Sequence, residues 1–132
     1  MSKDDFKSVE IVEQYDLYRN VIFFNQTIYQ SRTRKANGEG YYYTLKTVLP
    51  LVIYDYLGLV DDILYLVESD NHILLQASIE SADDSVFYKR KLNNKSHNFT
   101  VPKQLFHEFK YSDFIATFIF IPSHSMVCVR FH

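Results

Sequence analysis

Two groups of cationic side chains stand out in this 132-residue chain: Arg32, Arg34 and Lys35, and Lys89, Arg90, Lys91 and Lys95. Guanidinium and ammonium groups neutralise phosphates and release counterions, which gives salt-dependent affinity for a nucleic-acid backbone. Arginine also reads guanine edges through paired hydrogen bonds, and Asn37, Asn93 or Asn94 beside the clusters could address adenine. Lys46 and Lys103 are secondary candidates for phosphate contact. The competing reading is that exposed strand edges carry Lys and Arg only to block aggregation.

Other chemistry is thin. The run Tyr41-Tyr42-Tyr43 could stack on bases in a single strand, or form one strand with rings alternately buried and exposed. His72, His97, His107, His124 and His132 lack metal-ligand spacing, and the single Cys128 completes no familiar zinc pattern with them. No glycine-rich phosphate loop is present. Asp61-Asp62 and Asp83-Asp84 read as turn and cap residues rather than a catalytic pair. Cys128 sits in an alternating apolar run and reads as core. The expectation is therefore no enzyme, no metal and no cofactor.

The net charge of −2 does not announce a nucleic-acid binder, but its distribution is uneven. From Val86 onward Lys89, Arg90, Lys91, Lys95, Lys103, Lys110 and Arg130 outnumber Glu108 and Asp113. Acid collects at Asp4, Asp5, Glu10, Glu13 and Asp16 and between positions 55 and 84. A lone cysteine permits no disulfide within the chain, which favours a reducing setting. The polar start lacks the apolar core of a signal peptide, and no stretch approaches the roughly 20 apolar residues that span a bilayer. A cytoplasmic protein is expected. Asn98-Phe99-Thr100 matches a glycosylation sequon, which carries no meaning without secretion.

The elements that must position these side chains are mostly strands. The chain has 11 Tyr and 11 Phe among many Val and Ile, a composition that suits strands. Residues 1–20 form an acidic N-terminal arm, for which a short helix and an irregular path fit equally well. Residues 21–30 read as a strand, Ala36 to Gly40 as a turn, and Tyr41 to Leu49 as the return strand. Pro50 suits a first helical position and Gly58 a left-handed helix end, so a two-turn helix is predicted between them. Ile63–Val67 and Ile73–Ala77 then form a hairpin. The second half repeats the order. Val86 opens a strand into Lys89-Arg90-Lys91, Asn93–Ser96 turns, and Asn98–Val101 returns. A short helix follows Pro102, and Ile115–Ile121 and Met126–Phe131 make the last hairpin.

At a shift of 52 residues Leu49-Pro50 matches Val101-Pro102, Ile53 matches Leu105 and Leu57 matches Phe109. Leu59, Asp61 and Ile63 match Tyr111, Asp113 and Ile115 at the same shift. A proline, an aspartate and a helix phase in common argue for an internal duplication. The predicted division is residues 21–80 and 81–132, which could also form one intertwined domain.

These motifs resemble the AbrB/MazE/SpoVT swapped-hairpin DNA-binding family. The first copy supplies Leu49-Pro50, Ile53, Leu57-Gly58-Leu59 and Asp61-Asp62. The second supplies Val101-Pro102-Lys103, Leu105, Phe109, Tyr111 and Asp113. The family's glycine before the aspartate is missing in both copies, Leu51 replaces the lysine after the first proline, and Lys110 stands where the first copy has Gly58. The resemblance implies a mainly β fold of tandem AbrB-like units, each with one short helix, closed into an intertwined barrel. It implies that the basic strand-to-turn elements of the two copies lie at equivalent positions and meet DNA together.

The function expected is a transcription regulator that binds double-stranded DNA, as a homodimer or a single-chain pseudo-dimer. Two alternatives stay open: an antitoxin that also binds a toxin, and a protein-interaction module that has lost DNA binding.

Overall fold

The computed structural model of the chain describes residues 21–69, 72–79, 86–105 and 114–132. The proposed N-terminal arm, and the second predicted helix beyond Leu105, lie outside these residues. The described elements are β1 (Ile22–Thr27), β2 (Tyr29–Arg34), β3 (Tyr41–Val48), α1 (Leu51–Leu57), β4 (Ile63–Ser69) and β5 (His72–Gln76). After them come β6 (Phe87–Lys91), β7 (Asn98–Thr100), β8 (Ile115–Ile121), a 3-10 turn (Pro122–His124) and β9 (Met126–Phe131). The chain is mainly β, as its aromatic and β-branched content predicts.

Helix α1 ends as its flanking residues dictate. Pro50 is the cap before the helix rather than its expected first residue: it is extended, and its carbonyl accepts the Tyr54 N–H at 2.9 Å. Gly58 closes it at φ 58°, a left-handed geometry that costs glycine nothing. Seven residues are too few for an isolated helix, and Ile53, fully buried, anchors this one to the core.

All strand pairs are antiparallel and form two sheets, one ordered β1-β8-β9-β5-β4-β6 and the other β2-β3-β7. Alternation along the large sheet sends Leu64, Leu66, Ile73, Leu75, Phe118 and Phe131 to one face. There they meet Leu49, Phe99, Val101 and Leu105 in the main core. The opposite face carries a smaller cluster of Ile119, Ile121 and Cys128.

The sheets do not close into the expected barrel. The gaps at the two edges of the large sheet are crossed by side chains instead of backbone ladders. Thr47 Oγ1 donates to the Thr27 carbonyl at 3.0 Å, and Arg90 Nε donates to the Thr100 carbonyl at 3.0 Å.

Pairing crosses between the halves in a regular way. The first strand of each half pairs with the other half, β1 with β8 and β6 with β4. If the two halves are exchanged, the order of the large sheet reads the same backwards. Thr47 lies opposite Phe99, 52 positions away, and Leu74 lies opposite Cys128, 54 positions away. The shift of 52 holds from β3 to β8, and the longer turn after Ile121 adds two residues before β9.

Candidate nucleic-acid interface

Register fixes which residues of the two halves are equivalent. Ile115 faces Thr27 and its counterpart Ile63 faces Lys91, so β1 aligns with β6 at a shift of 64. Lys89, Arg90 and Lys91 therefore correspond to Asn25, Gln26 and Thr27. The expected equivalence with Arg32, Arg34 and Lys35 does not hold. Those three belong to a segment that the second half lacks, because the first half takes twelve more residues to travel from β1 to β3.

That segment is a two-stranded ribbon. Strand β2 pairs with β3 over its whole length, from Tyr29 opposite Lys46 to Arg34 opposite Tyr41. Strand β7 supports β3 only at Lys46 to Val48. Past the half-buried Ser31, Thr44 and Leu45 the ribbon runs on as two strands alone, and there Arg32–Arg34 and Tyr41–Tyr43 are exposed on both faces. Its tip turns through Gly38 and Gly40, both at positive φ. The Asn37 side chain accepts from the Glu39 N–H at 2.9 Å and so is committed to that turn. Six residues of strand extend roughly 20 Å.

Residues opposite each other in an antiparallel pair share a face. One face of the ribbon carries Arg32, Arg34, Tyr41 and Tyr43, and the other carries Thr33, Tyr42, Thr44 and Lys46. The Arg32 guanidinium lies 4.6 Å from the Tyr41 ring centroid, and Lys35 Nζ lies 5.6 Å from that of Tyr42. Such cation–π contacts hold a cation in place while its remaining N–H groups stay able to donate. At the root, the arginine face runs into a cleft of about 390 Å³ lined by Ile28, Gln30, Leu45 and Phe114.

All three tyrosines are exposed, at 43%, 58% and 55%. The alternation of buried and exposed rings expected for this run fails because the ribbon projects past the core that would cover one face. The run instead places rings on both faces of the ribbon, across from the basic strand that precedes the Gly-Glu-Gly turn.

The second basic group is divided. In β6 alternation turns Lys89 and Lys91 outward with Phe87, and turns Arg90 inward with Tyr88. Arg90 donates to two backbone carbonyls, Thr100 through Nε and Lys89 through Nη1, and burial lowers its pKa from the ordinary value. It is a structural bridge between sheets. Asn93 Oδ1 accepts from the N–H groups of Lys95 and Ser96 at 2.8 and 3.0 Å, so it shapes a turn rather than reading a base. Asn94, Lys95 and Lys103 are exposed on the body of the protein, and Lys46 is half-buried at the ribbon root. The basic set expected to share one surface is therefore spread over the ribbon, the β6 edge and the β6–β7 turn.

Among the described residues, no group of three or more His, Cys, Asp or Glu is placed to hold a metal. No helix among them is long and apolar enough to cross a membrane. No protein family, curated protein sequence or solved structure matches the chain.

Proposed function

We propose that this protein binds double-stranded DNA through the β2–β3 ribbon and regulates transcription by occupying it. The single observation that carries this reading is the ribbon itself, with Arg32, Arg34 and Lys35 beside three exposed tyrosines. A duplex major groove is about 12 Å wide and admits a two-stranded ribbon. Arginines along one face can donate to guanine edges and phosphates, while the tyrosine rings pack on sugars and thymine methyls. Protection of a sheet edge would explain the cations alone. It does not account for three exposed rings grouped beside them, since a contiguous aromatic patch is the kind of surface that marks interaction sites.

The exchange of first strands between the halves supports the reading of the chain as two swapped-hairpin units joined into one pseudo-dimer, related to the AbrB/MazE/SpoVT family. A second reading, binding of a toxin or another protein, is favoured by the exposed Leu51, Val52 and Tyr56 of α1 and by Val60 after it. No cofactor is needed for either.

The test is a gel shift on duplex DNA at low salt, comparing the native chain with an Arg32→Glu, Arg34→Glu double variant. The expected result is binding that falls at least 100-fold, or about 2.7 kcal/mol, in the variant. Equal binding by both proteins would remove the ribbon as the site.

A further inference from the structure

We infer that one chain forms a complete DNA-binding unit with a single ribbon, and that its target is an asymmetric, non-palindromic duplex site. This inference rests on the DNA-binding reading above and names the class of site that the reading requires.

Palindromic DNA matches proteins whose reading elements are repeated by a two-fold axis. Within this chain the pairings that a symmetric dimer would make between subunits are already made between halves. β1 lies on β8, β6 on β4, β3 on β7 and β5 on β9. Thr47 opposite Phe99 and Leu74 opposite Cys128 mark the internal axis, with Thr47, Phe99 and Cys128 buried and Leu74 partly so. A second copy of the chain is not needed to complete either sheet.

The core obeys this axis, but the surface offered to DNA does not. Between the equivalent residues Ile28 and Leu92 on one side, and Leu45 and His97 on the other, the first half has positions 29–44 and the second only 93–96. Sixteen residues build a ribbon, whereas four build the tight turn that Asn93 closes. The edge strands differ as well, with Lys89 and Lys91 where the other half has Asn25 and Thr27. A reading surface with one arm fits one groove segment and finds no second arm to meet an inverted repeat.

The experiment uses the full chain on duplexes of roughly 21 base pairs, two helical turns, enriched from a random pool by rounds of binding. Stoichiometry is read by native mass spectrometry, and affinity is measured against salt. The expected result is one chain per duplex, on enriched sequences without dyad symmetry. Three ribbon cations predict a log–log salt slope of about −2.7, falling to about −1.8 in Lys35→Ala. Two chains per duplex on enriched palindromes, with a slope near twice that value, would overturn this inference and leave DNA binding intact. Failure to bind any duplex at low salt would overturn the DNA-binding reading, and this inference with it.

Discussion

Ile28 and Leu92 occupy one and the same place in the two halves of the chain. Both are buried, and each donates its backbone N–H to a left-handed residue, Phe114 at 2.7 Å and Asp62 at 2.8 Å. The two acceptors stand 52 positions apart. Further along each half the relation repeats, since Leu49 N–H donates to the His97 carbonyl and Val101 N–H to that of Leu45. Twelve of the sixteen residues between Ile28 and Leu45 are therefore an addition to a framework that the second half completes with a four-residue turn.

Removing the addition tests that statement. A chain in which residues 29–44 are replaced by Asn-Asn-Lys-Ser, the turn of the other half, keeps every pairing of the large sheet and the core-packed Leu45. It loses the Asn98 Nδ2 to Tyr29 hydroxyl bond of 2.8 Å, a change of about 1 kcal/mol. The expected outcome is a folded protein whose melting temperature moves by only a few degrees, with duplex binding abolished. Thermal denaturation and a gel shift on the same preparation check both halves of the claim.

Left-handed residues after α1 give a second prediction. Gly58 has open space where a Cβ would stand, so Gly58→Ala suffers from backbone strain alone. The cost is about 1 kcal/mol, read as a melting temperature lower by about 3–5 °C. Asp61 and Asp62 both stand at positive φ, 54° and 58°, without glycine's freedom. Asp61 is exposed, and Asp61→Gly is expected to raise stability by roughly 0.5 kcal/mol. Asp62 differs, because it accepts the Tyr54 hydroxyl at 2.5 Å, a bond that raises the Tyr54 pKa. Replacing Asp62 with glycine removes that bond and gives no such gain.

Much of this architecture was legible in residue type and order. Pro50 and Gly58 bracket α1 because ring closure and a missing Cβ act locally, wherever the rest of the chain goes. Alternation likewise marks Met126–Phe131 as a strand, although Val127, Cys128 and Val129 are all buried because side chains cover both faces there. What local pattern does not carry is register. Arg32-Thr33-Arg34-Lys35 and Lys89-Arg90-Lys91 look like counterparts in composition, yet hydrogen bonding aligns Lys91 with Thr27. The inward turn of Arg90 follows from strand parity and was readable. Its two carbonyl acceptors depend on where β7 lies, which is a tertiary fact. The exposure of the three tyrosines has the same origin, since a strand shows one wet face only where something covers the other.

Cys128 provides a third prediction. It faces Leu74 near the internal axis, and burial pushes its thiol from 9.0 up to about 11. Only the thiolate reacts, so iodoacetamide at pH 8 is expected to leave the folded protein unlabelled and to modify it fully in urea. Mass spectrometry reads the difference. The fold favours the neutral thiol, so its contribution to stability is complete below about pH 9 and is lost as pH rises through about 11. Denaturant midpoints between pH 9 and 11 are expected to fall less in Cys128→Ala than in the native chain.

On the proposed reading Arg32 serves binding and Arg90 stability, and comparing variants of the two is the sharpest test of the site. Arg90 sits between β6 and β7, with its guanidinium on the Thr100 and Lys89 carbonyls. Arg90→Met keeps the aliphatic stem and removes both bonds, which costs about 2–3 kcal/mol because hydrogen bonds from a charged donor are the stronger kind. Duplex affinity of the folded fraction is expected to stay within about threefold of native, since this side chain faces the protein. Arg32 rests on the exposed Tyr41 ring and leaves its outer N–H groups to the solvent. Arg32→Met is expected to shift the denaturation midpoint by under 1 kcal/mol, the scale of an exposed cation–π pair. It should weaken duplex binding about tenfold and reduce the salt slope by about one. Urea titrations and salt-dependent binding curves on the two variants decide the matter. A loss of affinity in Arg90→Met with none in Arg32→Met would move the interface from the ribbon to the β6 edge.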